Sequence, residues 1–187
     1  MPQPLLSAER VQARIDELAA DLNRDFSQKD PLIVCILKGS YIFTADLSRR
    51  LTIAHEIDFM AASSYGDGIT SSGTVQLTKD LHHDIKGRHV LLVEDIVDTG
   101  NTLRFLVETL EEREPESISI ITLLKKEGVD EAKLPNVDYV GFTVPPVFIV
   151  GYGLDYAEQY RHLPYVAVLS GVPEPGEEAQ DTRPTEK

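Results

Sequence analysis

One stretch constrains the fold more than any other: His89-Val90-Leu91-Leu92-Val93-Glu94-Asp95-Ile96-Val97-Asp98-Thr99-Gly100-Asn101-Thr102-Leu103. Val90 to Val93 are apolar without alternation, the pattern of a parallel strand buried on both faces. Acids follow at Glu94, Asp95 and Asp98. The small polar turn Thr99–Thr102 comes next, then an amphipathic segment through Leu103, Leu106, Val107 and Leu110 that reads as a helix. Ligands of open α/β sheets lie just beyond the carboxyl ends of strands. Three carboxylates at such an end predict a sugar phosphate, its hydroxyls facing the acids and its phosphate facing the turn.

The rest of the chain repeats this logic. Ser7 is placed to cap a helix whose apolar face is Val11, Ile15, Leu18, Ala19 and Leu22. Leu32 to Leu37 form a second apolar strand, run into Lys38-Gly39-Ser40 and lead to a helix from Tyr41 to Leu51. Ile57, Phe59 and Ala61 alternate as in a half-buried strand. The Gly- and Ser-rich segment 63–73 reads either as a hairpin connection or as a lid that excludes water, and Thr74 to Leu77 as the returning strand. Ser117 to Leu124 is a further strand ending in Lys125-Lys126. Short strands follow at Tyr139–Val144, Val147–Val150 and Tyr165–Leu169. Strands alternating with helices predict an α/β fold, a mainly parallel twisted sheet with helices on both faces. One domain spans 1–172, and the apolar-poor segment 173–187 is expected to be disordered.

Bulk properties narrow the class. A chain of 187 residues, 42% hydrophobic, is long enough for one domain with a substantial core. The single cysteine, Cys35, lies in an apolar run, so no disulfide framework arises within the chain. Charges at Glu9, Arg10, Asp16 and Glu17 leave no signal-peptide core. No apolar run approaches a membrane span, so the expected location is the cytoplasm, with no membrane partner. A net charge of −13 argues against a nucleic-acid partner.

The chemistry is concentrated at strand ends. Glu94 and Asp95 are adjacent, so in extended backbone they point to opposite sides, one toward a ligand and the other bracing it. Asp98 suits either an N-cap or a functional acid. Thr99-Gly100-Asn101-Thr102 offers backbone N–H groups at a helix N-terminus, a way to hold phosphate without lysine. It is not a Walker-type loop.

Val93 to Leu103 resembles the phosphoribosyl pyrophosphate signature of the phosphoribosyltransferases, in the form found in the hypoxanthine-guanine branch. Further matches occur in the family's order. Leu37-Lys38-Gly39-Ser40 resembles its pyrophosphate loop. Ser64-Tyr65 opens what resembles its flexible catalytic loop. Lys125 stands where its purine-binding lysine lies. Phe148 to Tyr156 resembles its base-stacking and metal segment, and Arg161 its late arginine. The resemblance covers about residues 5 to 170. Position 101 is Asn where some members carry Lys, and backbone amides would still hold a phosphate there.

The resemblance implies a type I phosphoribosyltransferase-like sheet with a small hood and a flexible loop insertion. It implies transfer of a phosphoribosyl group from phosphoribosyl pyrophosphate to a 6-oxopurine, hypoxanthine or guanine, in purine salvage. Glu94 and Asp95 would bind the ribose, and Asp98 would be the general base. Asp98 with Thr99 to Thr102 would cradle the 5′-phosphate. Lys38, Gly39 and Arg161 would take the pyrophosphate. Lys125, Phe148, Ile149 and Asp155 would bind the purine, with Glu94, Asp95 and Asp155 holding Mg²⁺. A homodimer or homotetramer is implied. Two alternatives stand beside this: a xanthine-preferring enzyme, and a regulator of the same fold that binds RNA or protein.

Overall fold

The computed structural model describes residues 2–64 and 75–171. The elements in order are β1 (Gln3–Leu6), α1 (Ala8–Asp25), β2 (Leu32–Leu37), α2 (Tyr41–Ser48), β3 (Glu56–Ser64), β4 (Val75–Lys79), β5 (His89–Val97), α3 (Asn101–Glu111), β6 (Ser117–Lys126), a 3-10 turn at Glu131–Lys133, β7 (Tyr139–Val144), β8 (Ile149–Val150) and β9 (Val166–Val168). Tyr65, most of the 63–73 segment and the 173–187 tail lie outside the described residues.

The six-stranded sheet runs β4-β3-β2-β5-β6-β7. Every pair in it is parallel except β3 with β4. Helices cover both faces. On one side α1 packs Val11, Ile15, Leu18 and Leu22 against Ile33, Leu91, Val93 and Ile121. On the other, α3 packs Leu103, Leu106 and Leu110 against Leu32, Val34, Val90 and Leu92. Consecutive residues of β2 and β5 thus enter opposite cores, which is why those strands are apolar without alternation. The hydroxyl of Ser7 accepts a bond from Arg10 N at 3.3 Å, so the predicted cap is formed.

Apart from the run β3-β4-β5, the structure departs from strict strand–helix alternation in two places. Between β6 and β7 the chain crosses over with only a 3-10 turn. The last two strands leave the main sheet altogether: β8 and β9 join β1 in a separate antiparallel sheet of order β1-β9-β8. This small sheet is the hood, and it lies across the chain's first and last described strands.

Strand order locates the crevice. From β2 the chain crosses outward to β3, and from β5 it crosses the other way to β6. The switch point falls between β2 and β5, where ligands of open α/β sheets bind. Lys38-Gly39 and Glu94 to Thr102 are the chain segments at those two carboxyl ends.

Candidate active site

The turn after β5 is held by one glycine. Gly100 has φ +76, a left-handed backbone, and a Cβ there would lie 1.9 Å from Leu134 Cδ2. Gly100, not Asp98, is the N-cap of α3, so the capping role open to Asp98 in sequence is not taken. Glu94, Asp98, Thr99, Gly100 and Thr102 line a cavity of about 90 Å³ at the helix start. Asn101 opens α3 and is exposed.

Asp98 is shared by three cavities. Two larger ones, of about 270 and 230 Å³, are both lined by Asp98, Lys126 and Phe148. The second also meets Asp95, Ile149, Leu154 and Asp155. Phe148 is braced edge-on by Tyr156, ring centroids 5.5 Å apart at 87°. The Asp98 carboxylate accepts a 2.7 Å bond from the Lys126 ammonium.

Lys125, the expected purine ligand, is directed away from these cavities. Its ammonium reaches Glu131 on the 3-10 turn, and it lines neither of the Phe148 cavities. Neighbouring residues of a strand face opposite ways. The register sets Val97 of β5 beside Lys125 of β6, which makes Asp98 and Lys126 the next pair along. Lys126, not Lys125, therefore stands beside Asp98 and Phe148.

Glu94 and Asp95 are half-buried, yet Oε2 of Glu94 is fully buried and has no hydrogen-bond partner among the described residues. Burial, with the charge of Asp95 beside it, pushes the Glu94 carboxyl well above its ordinary range. Burial raises Asp95 too, opposed by bonds from backbone N–H groups and by the Arg161 cation. The N–H of Ile96 donates to Asp95 Oδ1 at 2.7 Å. Among the described residues neither acid forms a salt bridge, so the pair keeps carboxylate oxygens that hydroxyl donors or a metal ion could use.

The β2 end packs against this pair. The Leu37–Lys38 peptide is cis. A Cβ on Gly39 would fall 1.4 Å from Asp95 Oδ2, so only glycine lets this turn close on the carboxylate. Lys38 extends away from it, and its ammonium lies 3.1 Å from both carboxylate oxygens of Glu158. Arg161 pairs with Asp155 at 2.8 Å and donates to the carbonyl of Gly153 at 2.8 Å. Its Nε is buried and has no partner among the described residues.

The structure thus gathers Asp98, Glu94, Asp95, the 99–102 turn, Phe148, Ile149 and Asp155 around one crevice, with Lys38, Gly39 and Arg161 on its β2 side. Ser64 ends β3, and Tyr65 lies outside the described residues. Sequence reasoning missed Lys126 and Glu158. The Lys-Lys pair signalled the first, but choosing between them needs the β5–β6 register.

The phosphoribosyl transferase domain family matches residues 4–157. The hypoxanthine phosphoribosyltransferase of Escherichia coli strain K12 is 46% identical over 164 residues, 87% of this chain and 92% of that protein. The hypoxanthine-guanine phosphoribosyltransferase of Bacillus subtilis strain 168 is 47% identical over 165 residues, 88% and 91%. A crystal structure of a hypoxanthine phosphoribosyltransferase from Staphylococcus aureus superimposes with a TM-score of 0.83 at 44% identity, covering 89% of this chain and 90% of that one. Fold, crevice and sequence agree: the chain belongs to the phosphoribosyltransferase family.

Proposed function

We propose that the chain is a purine salvage enzyme that transfers the 5-phosphoribosyl group of phosphoribosyl pyrophosphate to hypoxanthine, and to guanine, giving IMP or GMP and pyrophosphate. The observation that carries this is the Asp98–Lys126 pair at 2.7 Å beside Phe148, where three cavities meet. The similarity to hypoxanthine(-guanine) phosphoribosyltransferases supports the same substrates.

The roles follow from chemistry. The ring of Phe148 stacks on the purine. Lys126, a donor-only ammonium, holds the 6-oxo group and disfavours a 6-amino group, itself a donor. Asp98 takes the proton from the attacking ring nitrogen as general base, and its bond to Lys126 keeps the carboxylate oriented. The nitrogen then bonds to C1 of the ribose as the C1–O bond to pyrophosphate breaks. Positive charge builds at C1 in such glycosyl displacements, and Glu94 and Asp95 hold the ribose hydroxyls beside it. The turn from Asp98 to Thr102 takes the 5′-phosphate on backbone N–H groups. Lys38, the backbone of Gly39 and Arg161, whose planar fork suits phosphate oxygens, take the diphosphate.

Mg²⁺ fits this donor set. Among the described residues no three His, Cys, Asp or Glu side chains converge on one point, so there is no all-protein cage. Mg²⁺ is ordinarily held by one or two carboxylates plus waters and substrate phosphates. Glu94, with its unpartnered buried oxygen, Asp95 and Asp155 offer those carboxylates. When bound, the ion would neutralise the charge that develops on the diphosphate leaving group.

Cytoplasmic location and a homodimer or homotetramer belong to the same reading. No helix among the described residues is long and apolar enough to cross a membrane. Exposed Ile57 and Phe59 on β3 give a second copy an apolar surface. The activity is tested by incubating the protein with hypoxanthine, phosphoribosyl pyrophosphate and Mg²⁺. IMP and pyrophosphate should form together, and no nucleotide from any 6-oxopurine would refute the proposal.

A further inference from the structure

We infer that Glu158 is a resident counter-anion of the diphosphate subsite: its carboxylate holds the cations that a diphosphate needs and must release them before substrate binds. This rests on the reading of Lys38 and Arg161 as diphosphate ligands. Both oxygens of Glu158 lie 3.1 Å from the Lys38 ammonium, 120 positions away in the chain. One of them also lies 3.5 Å from Arg161. A long, exposed lysine is free to point into water, yet here it meets a carboxylate two-pronged.

The loop that carries Glu158 is shaped for this. Ala157, Glu158 and Tyr160 take left-handed backbones at φ 51, 63 and 74, uncommon for residues other than glycine. Such strained conformations cluster at functional sites. Asp155 organises the loop, since its Oδ2 accepts the Glu158 N–H at 2.9 Å while its Oδ1 pairs with Arg161 at 2.8 Å. The same acid thus sets the arginine and the plug beside it.

A diphosphate carries more charge and more acceptor oxygens than one carboxylate, so it displaces Glu158, but with less net gain than two unpaired cations would give. After transfer, the returning carboxylate competes with pyrophosphate and favours its release. The contact is solvent-exposed, which sets a modest scale.

Binding of pyrophosphate with Mg²⁺ to the full-length protein, measured calorimetrically, tests the inference. Glu158→Gln should tighten pyrophosphate about two- to fivefold, the range of an exposed ion pair, and leave IMP affinity unchanged. The gain should vanish in a Lys38→Ala background. Unchanged or weaker pyrophosphate binding in Glu158→Gln overturns the plug, as does equal tightening of IMP, which would mark a general charge effect. If Lys38→Ala alone does not weaken pyrophosphate, the diphosphate subsite itself is misplaced and the inference falls with it.

Discussion

At the scale of the residue, the central fact is the pairing of Asp98 with Lys126. A carboxylate and an ammonium lie 2.7 Å apart and line one cavity with Phe148, and on the proposed function they serve as proton acceptor and carbonyl-directed donor. Lys125, one position earlier, is directed to Glu131 instead. The two lysines therefore predict different phenotypes. Lys126→Ala should raise KM for hypoxanthine about tenfold or more, the scale of a lost hydrogen bond to a charged group, while KM for phosphoribosyl pyrophosphate changes little. Lys125→Ala should leave both near wild type. Steady-state kinetics with each substrate varied separates the cases, and the reverse pattern would put the base on the other side of β6.

At the scale of the element, the turns that end β2 and β5 interlock. Gly39→Ala would drive a methyl group into Asp95. Misplacement of reacting groups by about 1 Å can cost on the order of 10²-fold, and a fall of that order in kcat/KM for phosphoribosyl pyrophosphate is expected. A second element-level device anchors the β3–β4 pair. Asp58 is buried, and its Oδ2 accepts the N–H groups of His82 and His83 and the His83 ring, at 2.7, 2.9 and 2.9 Å. Its Oδ1 accepts Phe59 N at 2.7 Å. Burial opposes ionisation of Asp58, but the bonds from His83 and Phe59 outweigh it, so the carboxyl sits well below its ordinary range. A depressed folded pKa adds stability above the unfolded value, near 4, and this is lost as pH falls toward the folded pKa. Asp58→Asn should cost about 1.5–3 kcal/mol at pH 7, the range for hydrogen bonds to a charged group. Denaturant titrations should show that gap narrowing below about pH 4, the unfolded Asp value; a pH-independent gap would contradict the assignment. The elements themselves were largely legible: β2 and β5 follow from continuous apolar runs and α3 from helical periodicity, and the turn chemistry marks their ends. The choice of Lys126 was not, because register belongs to pairs of strands. Nor was Glu158, since a loop acid shows no partner until residues 38 and 158 meet.

At the scale of the molecule, function follows from strand order. Outward crossings from β2 and β5 in opposite directions open a crevice between them, and segments distant in the sequence line it. The resemblance implied a hood and the last short strands were read, but their pairing was not legible, because β8 has two residues and β9 three, too short for a period, and β1 pairs with β9 from the far end of the chain. That assembly gives Asp98 its place where the cavities meet, and Asp98 is the point at which the whole account is most exposed. The decisive measurement is turnover of hypoxanthine to IMP by Asp98→Asn beside the wild type, with phosphoribosyl pyrophosphate affinity measured in parallel. The account predicts a fall of about 10²-fold or more in kcat, the lower range for a positioned acid–base group, with donor affinity retained. Unchanged turnover would contradict it.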